Sequence, residues 1–108
     1  MKLIDIIEHL RDSQKVHKLY SNLNLPYELD EVLIYMKDEL NLDSELFFFD
    51  IKTTDDLLLY SENGTQYHQF FPLEYAAEIV ESYFSEFSKL IDGPELAKRL
   101  MEYRMNDA

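Results

Sequence analysis

The dipeptide Asn63-Gly64 constrains the fold of this chain more than any other sequence feature. Both residue types accept the positive φ angles of a type I′ turn, and that turn matches the twist of two paired strands. The flanking segments 57–61 and 65–71 are rich in leucine and aromatic residues, and aromatic residues favour strands. We therefore predict an antiparallel hairpin in which Tyr60 pairs with Tyr67. The face expected to pack on helices carries Leu57, Leu59, His68 and Phe70.

A third strand is predicted upstream of the hairpin, over 46–51. Its sequence, Leu-Phe-Phe-Phe-Asp-Ile, is short, aromatic and bounded by polar clusters. Residues 53–56, Thr-Thr-Asp-Asp, are typical of a turn. Because side chains alternate between the two faces of a strand, one face cannot hide all three phenylalanines. At least Phe48, or the pair Phe47 and Phe49, needs a second cover, which we expect a helix of the same chain to provide.

Apolar residues at helical spacing predict helices before these strands. Two stripes lie near the N-terminus: Leu3, Ile6, Ile7 and Leu10, then Val16, Leu19, Tyr20 and Leu23. They do not join smoothly, and Asp12-Ser13 can cap a new helix between them, so we predict one broken helix or two short ones. A further amphipathic helix is predicted over about 28–40 from i, i+3, i+4, i+7 spacing. Its apolar residues are Leu29, Val32, Leu33, Met36 and Leu40.

Two more helices are predicted after the hairpin. Pro72 suits the first position of a helix, where its missing N–H costs nothing. The stripe that follows consists of Leu73, Ala76, Ala77, Val80, Phe84, Phe87 and Ile91. Asp92-Gly93-Pro94 ends this helix and begins another. The predicted fold is one α+β domain over 1–108, with N-terminal helices, a three-stranded antiparallel β-meander, and C-terminal helices packed on one sheet face.

The negative charge of the chain is concentrated in its middle. There are 22 acidic residues against 10 basic ones, a formal net charge of -12. Residues 21–92 hold 16 of the acids and only three bases, whereas both ends are nearly balanced. Self-repulsion of this kind opposes the compact state, but it speeds encounter with a basic partner. The same charge disfavours nucleic acid and anionic membranes as direct partners.

Other classes of function lack the residues that they require. Cysteine is absent, which excludes disulfides, cysteine-ligated zinc and a thiol nucleophile. No catalytic, phosphate-binding or His-Glu-x-x-His motif is present, so we predict no enzyme, no cofactor and no metal site. The N-terminal apolar run is interrupted by Asp5 and Glu8, unlike a signal peptide. No stretch approaches the ~20 apolar residues of a transmembrane helix, and we expect a cytoplasmic protein.

The first candidate binding surface is the acidic side of the predicted 73–91 helix. Glu74, Glu78 and Glu81 recur at i, i+4 and i+7, so they line one side of that helix. Like charges at this spacing repel one another, and a partner with Lys or Arg relieves the repulsion. Tyr75 can supply an aromatic anchor of the kind that interfaces favour. The alternative is an ordinary solvated helix face.

The second candidate binding surface is the acidic segment from residue 28 to residue 45. Its acids are Glu28, Asp30, Glu31, Asp38, Glu39, Asp43 and Glu45. If they meet Asp55 and Asp56 of the turn, the array can mimic a run of phosphates. We take Asp38, Glu39 and Asp55 as contributors to binding. The alternative is that these charges serve solubility alone.

These features together predict an acidic protein that binds and inhibits a basic partner. The most concrete form is an immunity protein or antitoxin that neutralises a bacterial nuclease toxin, because a nuclease needs a positive cleft for its substrate. A close variant is a nucleic-acid-mimicking decoy. The alternative is a non-catalytic structural or adaptor subunit of a homo- or hetero-oligomer, a homodimer included, because the three consecutive phenylalanines need cover on both faces of their strand.

Overall fold

The computed structural model describes residues 1–82 and 90–107. These residues form helices packed on one four-stranded antiparallel sheet. The helices are α1 Leu3–Ile6, α2 Ser13–Leu23, α3 Ile51–Thr54, α4 Leu73–Ser82 and α5 Gly93–Asp107. The strands are β1 Val32–Lys37, β2 Leu46–Asp50, β3 Leu59–Glu62 and β4 Thr65–Pro72. Short 3-10 turns cover Ile7–Arg11 and Leu29–Glu31.

The N-terminal helical region is broken where the two apolar stripes fail to join. A 3-10 turn continues α1, and Asp12 then adopts an extended conformation at the N-cap of α2. Its carboxylate accepts a hydrogen bond from the backbone N–H of Gln14 at 2.8 Å, which satisfies one of the unpaired donors of the first turn. Asn24, with φ of 51°, ends α2 in the left-handed conformation. The prediction of a broken helix capped at Asp12 is confirmed.

The prediction of a helix over about 28–40 is wrong, because Leu29–Glu31 forms a 3-10 turn and Val32–Lys37 forms β1. Residues Val32 to Met36 are all buried, which is the pattern of a strand covered on both faces. A continuous apolar run of this length also matches helical spacing, so periodicity cannot separate the two structures. Pairing with β2 on one side and β4 on the other decides the outcome.

The predicted hairpin is confirmed, with Tyr60 opposite Tyr67 around the Asn63-Gly64 turn. The predicted packing of one hairpin face is only partly correct. Phe70 is buried in the core, but Leu57 and Leu59 are about half exposed, and Leu57 precedes β3. β3 lies at the edge of the sheet, and among the described residues none from β3 belongs to the core.

The predicted three-stranded meander is also wrong, because β1 adds a fourth strand and the order becomes β2-β1-β4-β3. The central pair β1 and β4 are not consecutive in sequence. Pro72 ends β4, and α4 begins only at Leu73. Of the predicted 73–91 helix, α4 covers the first part, and residues 83–89, with Phe84 and Phe87, lie outside the described residues.

The hydrophobic core lies between the helices and one face of the sheet. Alternate residues of β1 point into it, and a register shift at Ile34/Tyr35 places Phe70 and Phe71 in succession within it. Helical contributors include Leu3, Ile6, Leu10, Leu73, Val80, Leu96 and Leu100. The other alternate residues of β1, Leu33 and Tyr35, lie on the opposite face, which we call the open face.

Substitution of Gly64 by alanine is expected to destabilise the protein by about 1–2 kcal/mol, the cost of a left-handed L-residue. Gly64 has φ of +82°, and a Cβ built there meets nothing within 4 Å, so the effect is conformational and not steric. Urea unfolding measures it, with Ser61→Ala on the exposed part of β3 as the control. Equal stability of the two variants would show that the turn does not impose this conformation.

No helix among the described residues is both long enough and apolar enough to cross a membrane.

Candidate functional site

Helix α4 carries the acidic side predicted from its sequence. Its inner side packs into the core, so Glu74, Glu78 and Glu81 remain outside. The three glutamates line a groove of about 170 Å³ against α2, where they face Val16 and His17. Among the described residues none of the three forms an ion pair. Their negative charges are therefore available to a partner.

Tyr75 lies on the neighbouring side of α4, with 45% of its surface exposed. Its ring makes an edge contact with the ring of Phe71, with 5.7 Å between the centroids. This contact holds one side of Tyr75 against the protein and leaves the other side in solvent. Beside it is a shallow cavity of about 320 Å³, whose lining also includes Glu78, Ile79 and Tyr103. Glu78 borders both this cavity and the groove, so an aromatic anchor and an acid stand side by side on α4.

The loop between β1 and β2 holds Asp38 and Glu39 at one end of the sheet. Asp38 adopts φ of 68°, and its backbone N–H donates to the Gln66 carbonyl at 2.8 Å. The Ser44 hydroxyl donates to the Glu39 carbonyl at 2.6 Å, which closes the loop. A shallow depression of about 360 Å³ is lined by Lys37, Asp38, Glu39, Asn41, Asp43, Ser44 and Glu45.

Part of the second predicted patch is neutralised within the chain. Asp43 lies 3.9 Å from Lys2, and Glu31 lies 3.0 Å from Lys52. The hydrogen bond and charge of Glu31, together with the charges of Asp50 and Asp30, raise the pKa of Lys52. This lysine therefore stays charged, and it cancels part of the field around the start of β1.

Asp55 and Asp56 follow α3 on the open face of the sheet. Both have left-handed φ angles, 57° and 56°, and both are exposed. The Asp56 carboxylate accepts a hydrogen bond from Gln69 Nε2 at 3.1 Å. The Leu57 carbonyl accepts one from Tyr35 Oη at 2.6 Å, which ties this segment to the sheet.

The structure distributes the predicted site residues over three surfaces. Glu74, Glu78, Glu81 and Tyr75 lie in the helical layer, Asp38 and Glu39 lie in a loop at the end of β1, and Asp55 lies beside the open face. The candidate residues of α4 therefore form no continuous array with Asp38, Glu39 or Asp55.

Sequence reasoning missed a cluster of aromatic side chains on the open face, which we call the ring cluster. Its members come from all four strands: Tyr35, Phe47, Phe49, Tyr60 and Tyr67. Phe48 packs toward the core instead, so the pair Phe47 and Phe49 is covered by neighbouring rings and not by the expected helix. The predicted pairing of Tyr60 with Tyr67 identifies two of the five members of the ring cluster. Tyr35 was not recognised as a member because its segment was incorrectly assigned to a helix.

The described residues contain no group of three or more His, Asp and Glu side chains that could hold a metal ion. Their cavities are shallow and are bordered by loops and helix surfaces. In comparisons with known proteins, no family model, no curated protein and no solved structure matches this chain.

Proposed function

We propose that this protein is a non-catalytic, acidic inhibitor that binds and blocks a basic protein partner. The most concrete form is an immunity protein or antitoxin that neutralises a bacterial nuclease toxin. A decoy that mimics nucleic acid belongs to the same proposal, because both act by filling a positive cleft.

The observation that carries this proposal is the surplus of unpaired acids. Among the described residues, the acids in ion pairs are Glu8, Glu31, Asp43 and Glu95. The candidate residues Glu74, Glu78, Glu81, Asp38, Glu39 and Asp55 form none. Since unpaired charges of one sign destabilise the compact state through self-repulsion, their accumulation favours a role outside the chain.

The affinity and the rate of such binding have different sources. Affinity comes from a few buried aromatic anchors and desolvated charge pairs, for which Tyr75 and Glu78 are positioned. The wider negative field mainly raises the association rate with a positive cleft, and salt screens it. Binding to the partner is therefore expected to be fast at low salt and slower as salt rises.

The proposal is tested by capture from the native host. The tagged full chain is used as bait at low salt, bound proteins are eluted with a salt gradient, and the eluate is identified by mass spectrometry. A basic protein that leaves at moderate salt, and whose purified activity the chain inhibits, supports the proposal. An acidic or neutral partner insensitive to salt would overturn it.

Reversal of two charges on α4, in Glu78→Lys/Glu81→Lys, is expected to slow association with that partner about 10-fold at low salt. It should also flatten the dependence of the rate on salt. Stopped-flow or surface-binding kinetics measure both quantities. The control Asn22→Lys/Glu102→Lys/Asn106→Lys makes the same change in net charge at exposed positions outside both candidate surfaces. Equal rates for the two variants would show that α4 is not the interface.

A second candidate function is a structural or adaptor subunit of an oligomer, a homodimer included. The observation that favours it is the exposed apolar run Leu57-Leu58-Leu59 at the edge of the sheet, where Leu58 is 66% exposed. Exposed apolar edge strands pair readily with other chains. Light scattering tests this function, and a monomer at micromolar concentration would contradict an obligate oligomer.

A further inference from the structure

The open face presents an almost continuous aromatic surface. Phe49 and Tyr67 have ring centroids 5.1 Å apart, and Phe47 and Tyr67 lie 5.0 Å apart in edge-to-face geometry. Tyr60 joins the cluster at 5.4 Å from Phe49. These four rings are half-buried, whereas Tyr35 below them is fully buried. Part of each upper ring is therefore accessible to another molecule.

Among residues 1–82 and 90–107, the core helices leave this surface uncovered. Helices α1, α2, α4 and α5 contribute to the core on the other face, together with Val32, Ile34 and Met36 of β1. On the open face, α3 and the segment after it contact Tyr35 through Thr54 and the Leu57 carbonyl. Phe47 lies opposite Tyr35, whereas Tyr67 lies opposite Lys37, further along β1.

Four acidic side chains lie on the same face as the ring cluster, and we call them the rim acids. Alternation along the strands places Glu45 on the face of Phe47 and Glu62 on the face of Tyr60. The Asp56 carboxylate accepts a hydrogen bond from Gln69, which lies on the same face, and Asp55 directly precedes Asp56 in the chain. All four are exposed and form no ion pair among the described residues. Lys37 is the basic residue that alternation places beside them.

We propose that the open face binds an arginine-bearing segment of the basic partner, with guanidinium groups stacked on the ring cluster and paired with the rim acids. This inference rests on the proposed function and names the surface and the chemistry that carry it. It adds a contact on the sheet to the one proposed at α4.

Arginine fits this surface better than lysine does. The face of an aromatic ring attracts a cation, and a planar guanidinium also stacks on it. The same guanidinium presents a fork of hydrogen-bond donors to a carboxylate. One arginine side chain can therefore stack on the ring of Phe47 and donate hydrogen bonds to Glu45. A lysine ammonium is more strongly hydrated and loses more on leaving water.

The rim acids also decide against a second copy of this chain. In a two-fold dimer the same patch meets itself, so Glu45, Glu62, Asp55 and Asp56 would oppose one another. Like charges across an interface are unfavourable, and the chain as a whole carries -12. Charge complementarity therefore selects a basic partner for this face.

The test uses two synthetic peptides of equal charge, hexa-arginine and hexa-lysine, titrated into the full chain at low salt. Aromatic NMR resonances report the site, since tyrosine and phenylalanine rings serve as probes in a chain without tryptophan. We expect hexa-arginine to bind several-fold more tightly and to shift the rings of Phe47, Phe49, Tyr60 and Tyr67. Phe47→Leu keeps apolar bulk and removes a π face, and is expected to weaken hexa-arginine binding about three- to fivefold.

Two further variants complete the test. Tyr20→Leu is the matched control, because it removes a half-buried ring from α2, away from the open face and from the candidate residues of α4, and it should bind hexa-arginine like the wild type. Glu45→Gln/Glu62→Gln changes only exposed side chains, so it remains informative if Phe47→Leu fails to fold. This double variant should weaken the binding of both peptides.

The outcomes separate this inference from the proposed function. Equal binding of the two peptides, with shifts confined to α4 or to the β1–β2 loop, would overturn the open-face inference and leave a basic partner in place. Self-association that shifts the same rings would replace the partner by a second copy. Capture of no basic protein from the host would overturn the proposed function whatever the peptides do.

Discussion

Replacement of Ile34 by alanine is expected to lower the free energy of unfolding by about 2–5 kcal/mol, the range for deletion of a large aliphatic side chain from a core. Ile34 is 0% exposed and lies in β1, a central strand of the sheet. Its side chain points toward the helices and is surrounded by buried core residues, so alanine at this position leaves a cavity in the core. The loss combines the hydrophobic transfer free energy and the empty volume.

The same substitution distinguishes the observed strand from the helix predicted by spacing. In a helix over 28–40, Ile34 falls beside the apolar stripe formed by Leu29, Val32, Leu33, Met36 and Leu40, and its truncation would cost little. Urea unfolding with an unchanged m-value measures the difference. Ile4→Ala, at a position 41% exposed, is the control and should cost much less. A loss below about 1 kcal/mol for Ile34→Ala would contradict a buried central strand.

Removal of one hydroxyl, in Tyr35→Phe, is expected to destabilise the protein by about 1–3 kcal/mol, the cost of leaving buried polar groups without partners. The Tyr35 hydroxyl lies 2.6 Å from the Leu57 carbonyl and 2.9 Å from Thr54 Oγ1. It also accepts a hydrogen bond from Gln69 Nε2 at 3.2 Å. Since a hydroxyl has one proton, it donates to the Leu57 carbonyl, which can only accept.

A second consequence of Tyr35→Phe is local. The hydroxyl ties the segment after α3 to the sheet, so its loss should speed hydrogen exchange at Leu57, whose N–H donates to the Thr54 carbonyl at 3.1 Å. Tyr60→Phe is a matched control in the same ring cluster, because its hydroxyl has no hydrogen bond among the described residues. Equal stability of the two variants would show that the buried hydroxyl holds nothing in place.

Ile34 and Tyr35 show that β1 contributes both to the core and to the ring cluster on the open face. Adjacent residues of a strand point to opposite faces, so Ile34 packs with the helices while Tyr35 supports the ring cluster. The expected effect of Tyr35→Phe on the position of Asp55 and Asp56 also links fold stability to the proposed binding face. Loss of this anchor should weaken hexa-arginine binding through displaced rim acids, while binding at α4 would be unaffected.

Local features of the chain were predictable because their causes lie within a few residues. Asn63-Gly64 determines its turn through the φ angles that these residues accept, and Asp12 caps α2 through a bond to a backbone N–H two residues away. The aromatic run at 46–50 was identified as a strand from composition and length alone. The acids of the candidate surfaces were identified in the same way, since charge is a property of the sequence.

The sequence by itself determined the hairpin, the capped N-terminal break and a negative charge too large to be paired within the chain. Tertiary structure decided that Val32 to Met36 form a strand. A short apolar run is compatible with both helical and strand periodicity, and only its pairing with β2 and β4 selects the strand. Tertiary structure also decided which acids share a surface and brought five rings together. Those rings come from four strands, so their contact depends on sheet order and register, which no local pattern contains.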